Sequence, residues 1–247
     1  MKNTNILIYL IIILFLIFSQ KILVENFPEN NNNIWLYWEN KKGGTKASYL
    51  DLCFETVIKN CSRDSNVNLI NEKTVYKFLP DLRKDLNEKC TLPQKADYIR
   101  LSLLTKYGGI WLDSDVIVFK SLKKLFLVLN NYDFIGFGCH FKDCNRSPYG
   151  YPKPANWVIG SKKNGKLMTN CLIQANKILD YSPSLLTRKY HCLGRELLWK
   201  EINKLILLDK NWSYYHFNSR CIERDSNGNK LINQRFLSDE EIDFKCK

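Results

Sequence analysis

In ADYIRLSLLTKYGGIWLDSDVIVF, residues 96–119, a segment of helical character meets two glycines and then an apolar strand that carries two aspartates. Pro93 in a first turn and Gly108 just past the end bound the helix at residues 93–107. Asp97 and Arg100, three apart, share one face of it, while Ile99, Leu103 and Leu104 are available to a core. Taken alone, such a pair also reads as a surface ion pair. Gly108 and Gly109 turn the chain, so that residues 110–112 run as an inner strand and deliver Asp113 and Asp115 at its end. With a period of two, Trp111 and both carboxylates face the same way. Two carboxylates held that close raise each other's energy unless a cation lies between them. A divalent metal answers this, and one held by few protein oxygens is completed by water and substrate phosphates. The aspartates therefore read as a metal site that in turn holds a diphosphate.

Working outward, residues 34–38 (IWLYW) have the content of a first strand, and residues 47–59 place apolar side chains at helical spacing. A short strand follows at residues 67–70, a helix broken around Pro80 at residues 74–86, and, beyond the aspartates, an apolar segment at residues 122–129. Strands at residues 133–137 and 157–159 flank a loop rich in glycine, proline and aromatics at residues 138–154. Helices at residues 167–179 and 193–205 precede a polar end. Strands alternating with helices predict an α/β fold with a mainly parallel sheet, helices on both faces, and ligands beyond the strand ends.

The chain has 247 residues, enough for one sizeable domain. Residues 6–18 are uninterrupted and aliphatic, and the apolar character returns at residues 22–24. With no small-x-small cleavage site after Phe18, residues 1–24 read as an uncleaved signal anchor, a single membrane pass. Residues 25–33 read as a polar stem, 34–222 as the catalytic domain and 223–247 as a polar tail. The domain would then be lumenal, of Golgi or endoplasmic-reticulum type in a eukaryotic setting and otherwise secretory. Nine cysteines suit an oxidising compartment, although Cys53 and Cys61 cannot bridge if they share one helix. Asn60, Asn145 and Asn211 head N-x-S sequons, about as many as chance supplies in so asparagine-rich a chain. The net charge of +12 comes from scattered lysines, with no run of five, which reads as a solvated face and not as a nucleic-acid surface.

K-A-D-Y-I-R followed by L-x-x-x-G-G-I-W-L-D-S-D-V resembles the DXD sugar-binding glycosyltransferases. That superfamily includes capsular polysaccharide synthesis proteins, α-1,4-galactosyltransferases, initiating α-1,6-mannosyltransferases and the glucosylating clostridial toxins. Looser similarity extends over residues 34–218. The resemblance implies a Rossmann-like fold of GT-A type, a nucleotide-sugar donor, Mn²⁺ or Mg²⁺, a glycan, glycoprotein or glycolipid acceptor, and transfer of a hexose-type sugar with retention. By the same resemblance Asp97 and Arg100 touch the donor sugar, Asp113 lies near ribose and sugar with Trp111 beside it, and Asp115 chelates the metal. Trp38 matches the tryptophan that stacks on the nucleobase, and Asn156, opening NWVIGSKKNG, matches a polar segment behind the donor. His216, in WSYYHFNS, falls where a late side chain completes the metal or diphosphate site. The chain departs from the family in HCLGRELLW, where Arg195 and not proline follows Gly194, on the acceptor side.

Two other classes fit parts of the sequence. LDSDV also satisfies the D-x-D-x-V start of haloacid-dehalogenase-type phosphatases, with Asp113 as nucleophile, but that leaves KADYIR and the two glycines without a role. A membrane-anchored binding protein that has lost turnover would keep all of these residues.

Overall fold

The computed structural model describes residues 32–138, 153–217, 223–224 and 230–231. The anchor and stem expectations fall on residues outside these; among the described residues no helix is long and apolar enough to cross a membrane.

Six strands form one sheet: β1 (Asn33–Tyr37), β2 (Asn66–Ile70), β3 (Gly109–Leu112), β4 (Phe134–Gly138), β5 (Pro154–Ser161) and β6 (Tyr214–Phe217), in the order β2-β1-β3-β5-β4-β6. Pairs β1·β2, β1·β3 and β4·β6 are parallel; β5 runs antiparallel to both β3 and β4. The sheet is thus mostly parallel, with one reversed strand that the alternation of elements does not predict. Its cause is local. The sequence of residues 139–152, between β4 and β5, has no helical period, and antiparallel neighbours need no crossover helix between them, whereas parallel neighbours do.

Side chains on successive strand positions enter two cores. Trp35, Trp111 and Ile159 pack on one face with Ile99, Leu103 and Leu104 of α4 (Leu92–Tyr107), and with α6 (Lys166–Tyr181) and α8 (Arg195–Leu208). Ile34, Leu36, Ile110, Leu112 and Val158 pack on the other with Val57 and Cys61 of α1 (Tyr49–Cys61) and Phe126 of α5 (Lys123–Leu129). Helices therefore cover both faces, as the near-continuous apolar strands require.

Between β2 and α4 the chain makes two short helices, α2 (Val75–Phe78) and α3 (Leu86–Lys89), on either side of Pro80. At the start of α4 the Thr91 amide donates to Gln94 Oε1 at 3.0 Å, and Gln94 Nε2 donates to the Leu186 carbonyl of α7 (Ser184–Arg188) at 2.8 Å. At its end Gly108 and Gly109 take φ of 68° and 103°. A Cβ on Gly109 would lie 2.3 Å from the Asn33 carbonyl oxygen, so only glycine lets β3 start so close to β1. Past α8 the chain forms the edge strand β6 and a two-stranded ladder, β7 (Glu223–Arg224) with β8 (Lys230–Leu231), where the sequence reads as a polar end.

Candidate functional site

Trp35, Trp111 and Asp113 lie on the α4 side of the sheet, because the period of two holds through the end of β3. Arg100 reaches this strand end from α4. Its Nη2 donates to Asp113 Oδ1 at 2.6 Å, and Trp111 Nε1 donates to the same oxygen at 2.7 Å. The guanidinium centre stands 4.7 Å over the Trp111 ring, and its Nη1 donates to Asp97 Oδ1. Asn156, on β5, donates its Nδ2 to that same Asp97 oxygen at 2.9 Å. Five of the residues picked out from sequence, Asp97, Arg100, Trp111, Asp113 and Asn156, thus form one network from three elements.

Asp97 and Arg100 are 7% and 5% exposed, which overturns the reading of a surface ion pair. Burying charges costs several kcal/mol each before their attraction is counted, so a buried pair is weak evidence for stability. Here one guanidinium serves two carboxylates. Burial, with the nearby Asp113 charge, pushes the Asp97 carboxyl above the ordinary aspartate range, against the opposing pull of Arg100. Gly194, capping α8, closes the network from a fourth side: a Cβ there would come within 2.3 Å of Asp97 Oδ2 and 2.7 Å of Asn156 Nδ2.

Asp115 departs from the expected common face. The strand ends at Leu112; the Asp113 amide still donates to the Trp157 carbonyl at 2.8 Å, and the Val116 amide then closes a turn onto the Asp113 carbonyl at 3.1 Å. Ser114 Oγ ties this turn to the Tyr37 carbonyl at the end of β1, at 2.7 Å. Asp115, on the turn, is exposed and has neither hydrogen bond nor ion pair among the described residues. The two aspartates therefore differ: one is pinned by donors, and the other is open to solvent.

Trp38 follows β1 directly. Its amide donates to the Ile70 carbonyl at 3.0 Å and its half-buried indole donates to Asn40 Oδ1 at 2.8 Å. Beside it lies an arrangement that sequence reading passed over. Lys95 Nζ sits 2.7 Å from Glu39 Oε2, which also accepts the Tyr37 hydroxyl at 2.5 Å. Lys95 is buried, so the first turn of α4 is tied to the end of β1 by a charge pair. A glutamate and a lysine flanking WLYW and opening ADYIR were the available signals.

His216 lies on β6, its Cα paired with Gly136 of β4, and β5 and β4 intervene between it and β3. Its side chain is outside the described residues. Among the described residues no three His, Cys, Asp or Glu side chains gather as a metal cluster. The open Asp115 carboxylate next to a pinned Asp113 fits a hard divalent cation only if its other ligands are water and substrate oxygens. Asn145 lies outside the described residues. The Asn60 amide group is committed to the Thr56 and Val118 carbonyls, at 2.9 and 2.8 Å, which leaves it poorly placed to carry a glycan.

Residues 14–182 match the family described as capsular polysaccharide synthesis protein. No curated protein matches the chain. Among solved structures the chain is similar to one titled PaToxG glycosyltransferase, with 17% identity and a TM-score of 0.44 over 72% of this chain and 71% of that one.

Proposed function

The chain belongs to the capsular polysaccharide synthesis protein family, and on that premise we propose that it is a glycosyltransferase of GT-A type. It moves a hexose-type sugar from a nucleotide-sugar donor to a glycan, glycoprotein or glycolipid acceptor, with retention. The observation that carries this reading is the buried link from Asp97 through Arg100 to Asp113, which presents oriented carboxylates and a guanidinium beyond the ends of β1 and β3.

In this reading the nucleobase stacks on Trp38, and Asp113 accepts hydrogen bonds from ribose and sugar with its second oxygen, the first being held by Arg100 and Trp111. Asp97 accepts from sugar hydroxyls, with Asn156 setting its orientation. Arg100 retains a buried Nε–H with no partner among the described residues, a donor that a substrate oxygen can satisfy. Asp115 is the carboxylate that would hold Mn²⁺ or Mg²⁺, with Asp113 next to it and His216 as a further candidate. When bound, such a cation supplies positive charge against the negative charge that grows on the leaving diphosphate. Both Asp97 Oδ1 and Asp113 Oδ1 are occupied by donors, which favours attack by the acceptor from the leaving-group face over a covalent carboxylate intermediate. We place the domain in a lumenal or secretory compartment, tethered by residues 1–24.

A panel of nucleotide sugars tests the reading: hydrolysis without acceptor should appear with one or a few donors when Mn²⁺ or Mg²⁺ is supplied, and vanish with chelator. Release of phosphate from phosphomonoesters would favour the phosphatase class instead. Donor binding with no turnover under any condition would favour a binding protein.

A further inference from the structure

Two cations meet on a single indole next to the donor site. Lys153 Nζ lies 4.9 Å from the Trp199 ring centre, and the Arg195 guanidinium carbon lies 5.1 Å from it. The two charges are thus closer than about 10 Å, one Debye length in 0.1 M salt, and repel. Neither has a carboxylate partner among the described residues, and Arg195 Nε is buried there without a hydrogen-bond acceptor. The indole is itself fixed, its Nε1 donating to the Pro154 carbonyl at 2.6 Å. Cation–π attraction of about 0.5–2 kcal/mol each helps hold the side chains but leaves both charges uncancelled.

We propose that Lys153 and Arg195 form an oxyanion subsite that selects an acceptor carrying a negative group, a carboxylate or a phosphate on a sugar. The proposal rests on the glycosyl-transfer reading above. Three observations put the subsite on the acceptor side. Arg195 follows Gly194, which abuts Asp97 and Asn156, the sugar end of the donor site. Asp115, the diphosphate end, is carried on the turn after β3 and lies near Cys53 of α1, on the opposite face of the sheet from α8. Lys153 directly precedes β5, the strand that carries Asn156. A guanidinium suits the fork of a carboxylate or phosphate, and the adjacent amine adds charge without fixing geometry.

Calorimetry on the whole chain tests this with three probes: a glucuronate-terminated disaccharide, the phosphorylated form of its neutral counterpart, and the neutral disaccharide itself. Wild type should bind at least one charged probe ten-fold or more tighter than the neutral one at low salt. The preference should fall away at high salt and in the double variant Lys153→Gln, Arg195→Gln. Arg195→Lys should keep much of it, which separates loss of charge from loss of fold. Binding of the bare nucleoside diphosphate with metal should not change in the double variant. Equal binding of charged and neutral probes by wild type overturns the proposal, and so does an equal loss of diphosphate binding, which would assign both cations to the donor. A charged-sugar preference in a chain that hydrolyses no nucleotide sugar would overturn the transferase reading and leave the subsite standing. Which charged probe binds better distinguishes carboxylate from phosphate.

Discussion

Arg100 holds Asp97 and Asp113 at once, so a change there should be felt in substrate handling. Arg100→Lys keeps the charge but cannot donate to two carboxylates from one planar fork. Sugar transfer should fall about a hundred-fold or more, roughly 2.7 kcal/mol of transition-state stabilisation, while circular dichroism stays native. Unchanged transfer would remove the pair from the site. Asp115→Asn presents the opposite case: the side chain is exposed and unpartnered, so stability should move by no more than about 0.5 kcal/mol, yet metal-dependent diphosphate binding should be lost. Asp97 adds a pH signature. Burial raises its pKa, so the folded chain takes up this proton more readily than the unfolded chain does. Its contribution to stability is therefore fully present below the ordinary aspartate pKa and is lost as pH rises through the raised value. Donor-sugar binding runs the other way, because the protonated carboxyl is a poorer acceptor. Acidification should weaken sugar transfer from a pH above the ordinary aspartate range, without unfolding traceable to this group; a pH titration of transfer beside thermal melts checks both.

At the scale of elements, the turn from α4 into β3 is where sequence and structure agree most closely, since two consecutive glycines after a capped helix leave few conformations. Gly109→Ala meets both a φ of 103° and a contact of 2.3 Å with the Asn33 carbonyl. It should cost about 3 kcal/mol or more, read as a shifted urea midpoint, and should lower activity by displacing Asp113. A wild-type midpoint would mean that β1 and β3 can separate here. The helices α1, α4, α6 and α8 were legible from apolar spacing and end signals. The direction of β5 was not, because VIG reads as a buried strand in either direction and only its neighbours decide. β6 was missed because WSYYHF follows a polar turn and pairs at an edge, where one partner strand suffices. Spacing placed Asp97 and Arg100 on one face of α4 and Asp113 at the end of β3, and the resemblance to the DXD glycosyltransferases joined them in one site; the tie between Glu39 and Lys95 had neither signal, since it joins residues 56 apart whose meeting depends on how α4 docks on β1.

For the whole molecule the question is where such a domain works, and its thiols bear on the answer. Cys53, Cys61, Cys90, Cys171 and Cys192 are free, and burial pushes every one of them up, Cys90 to about 11. Reaction with maleimide or with disulfides proceeds through the thiolate, so these five should label only after unfolding, and an oxidising lumen would leave them untouched. Rapid labelling of any of them in the native chain would argue against that compartment. Localisation itself turns on residues 1–24. An aliphatic run of signal-peptide length without a cleavage signal should remain attached, and together with residues 22–24 it approaches the roughly 20 residues that span a bilayer. Basic residues close to the run are sparse, Lys2 before it and Lys21 after it, so orientation is set weakly by charge and must be measured separately from attachment. Full-length chain should stay in the membrane fraction through alkaline carbonate extraction, with residues 34–222 protected from added protease until detergent is present. A soluble product that begins near Lys21 would show that residues 6–18 are a cleaved signal peptide. A pellet fraction whose domain is digested without detergent would keep the anchor and reverse its orientation, placing the thiols in a reducing compartment, where their burial would no longer be needed for protection.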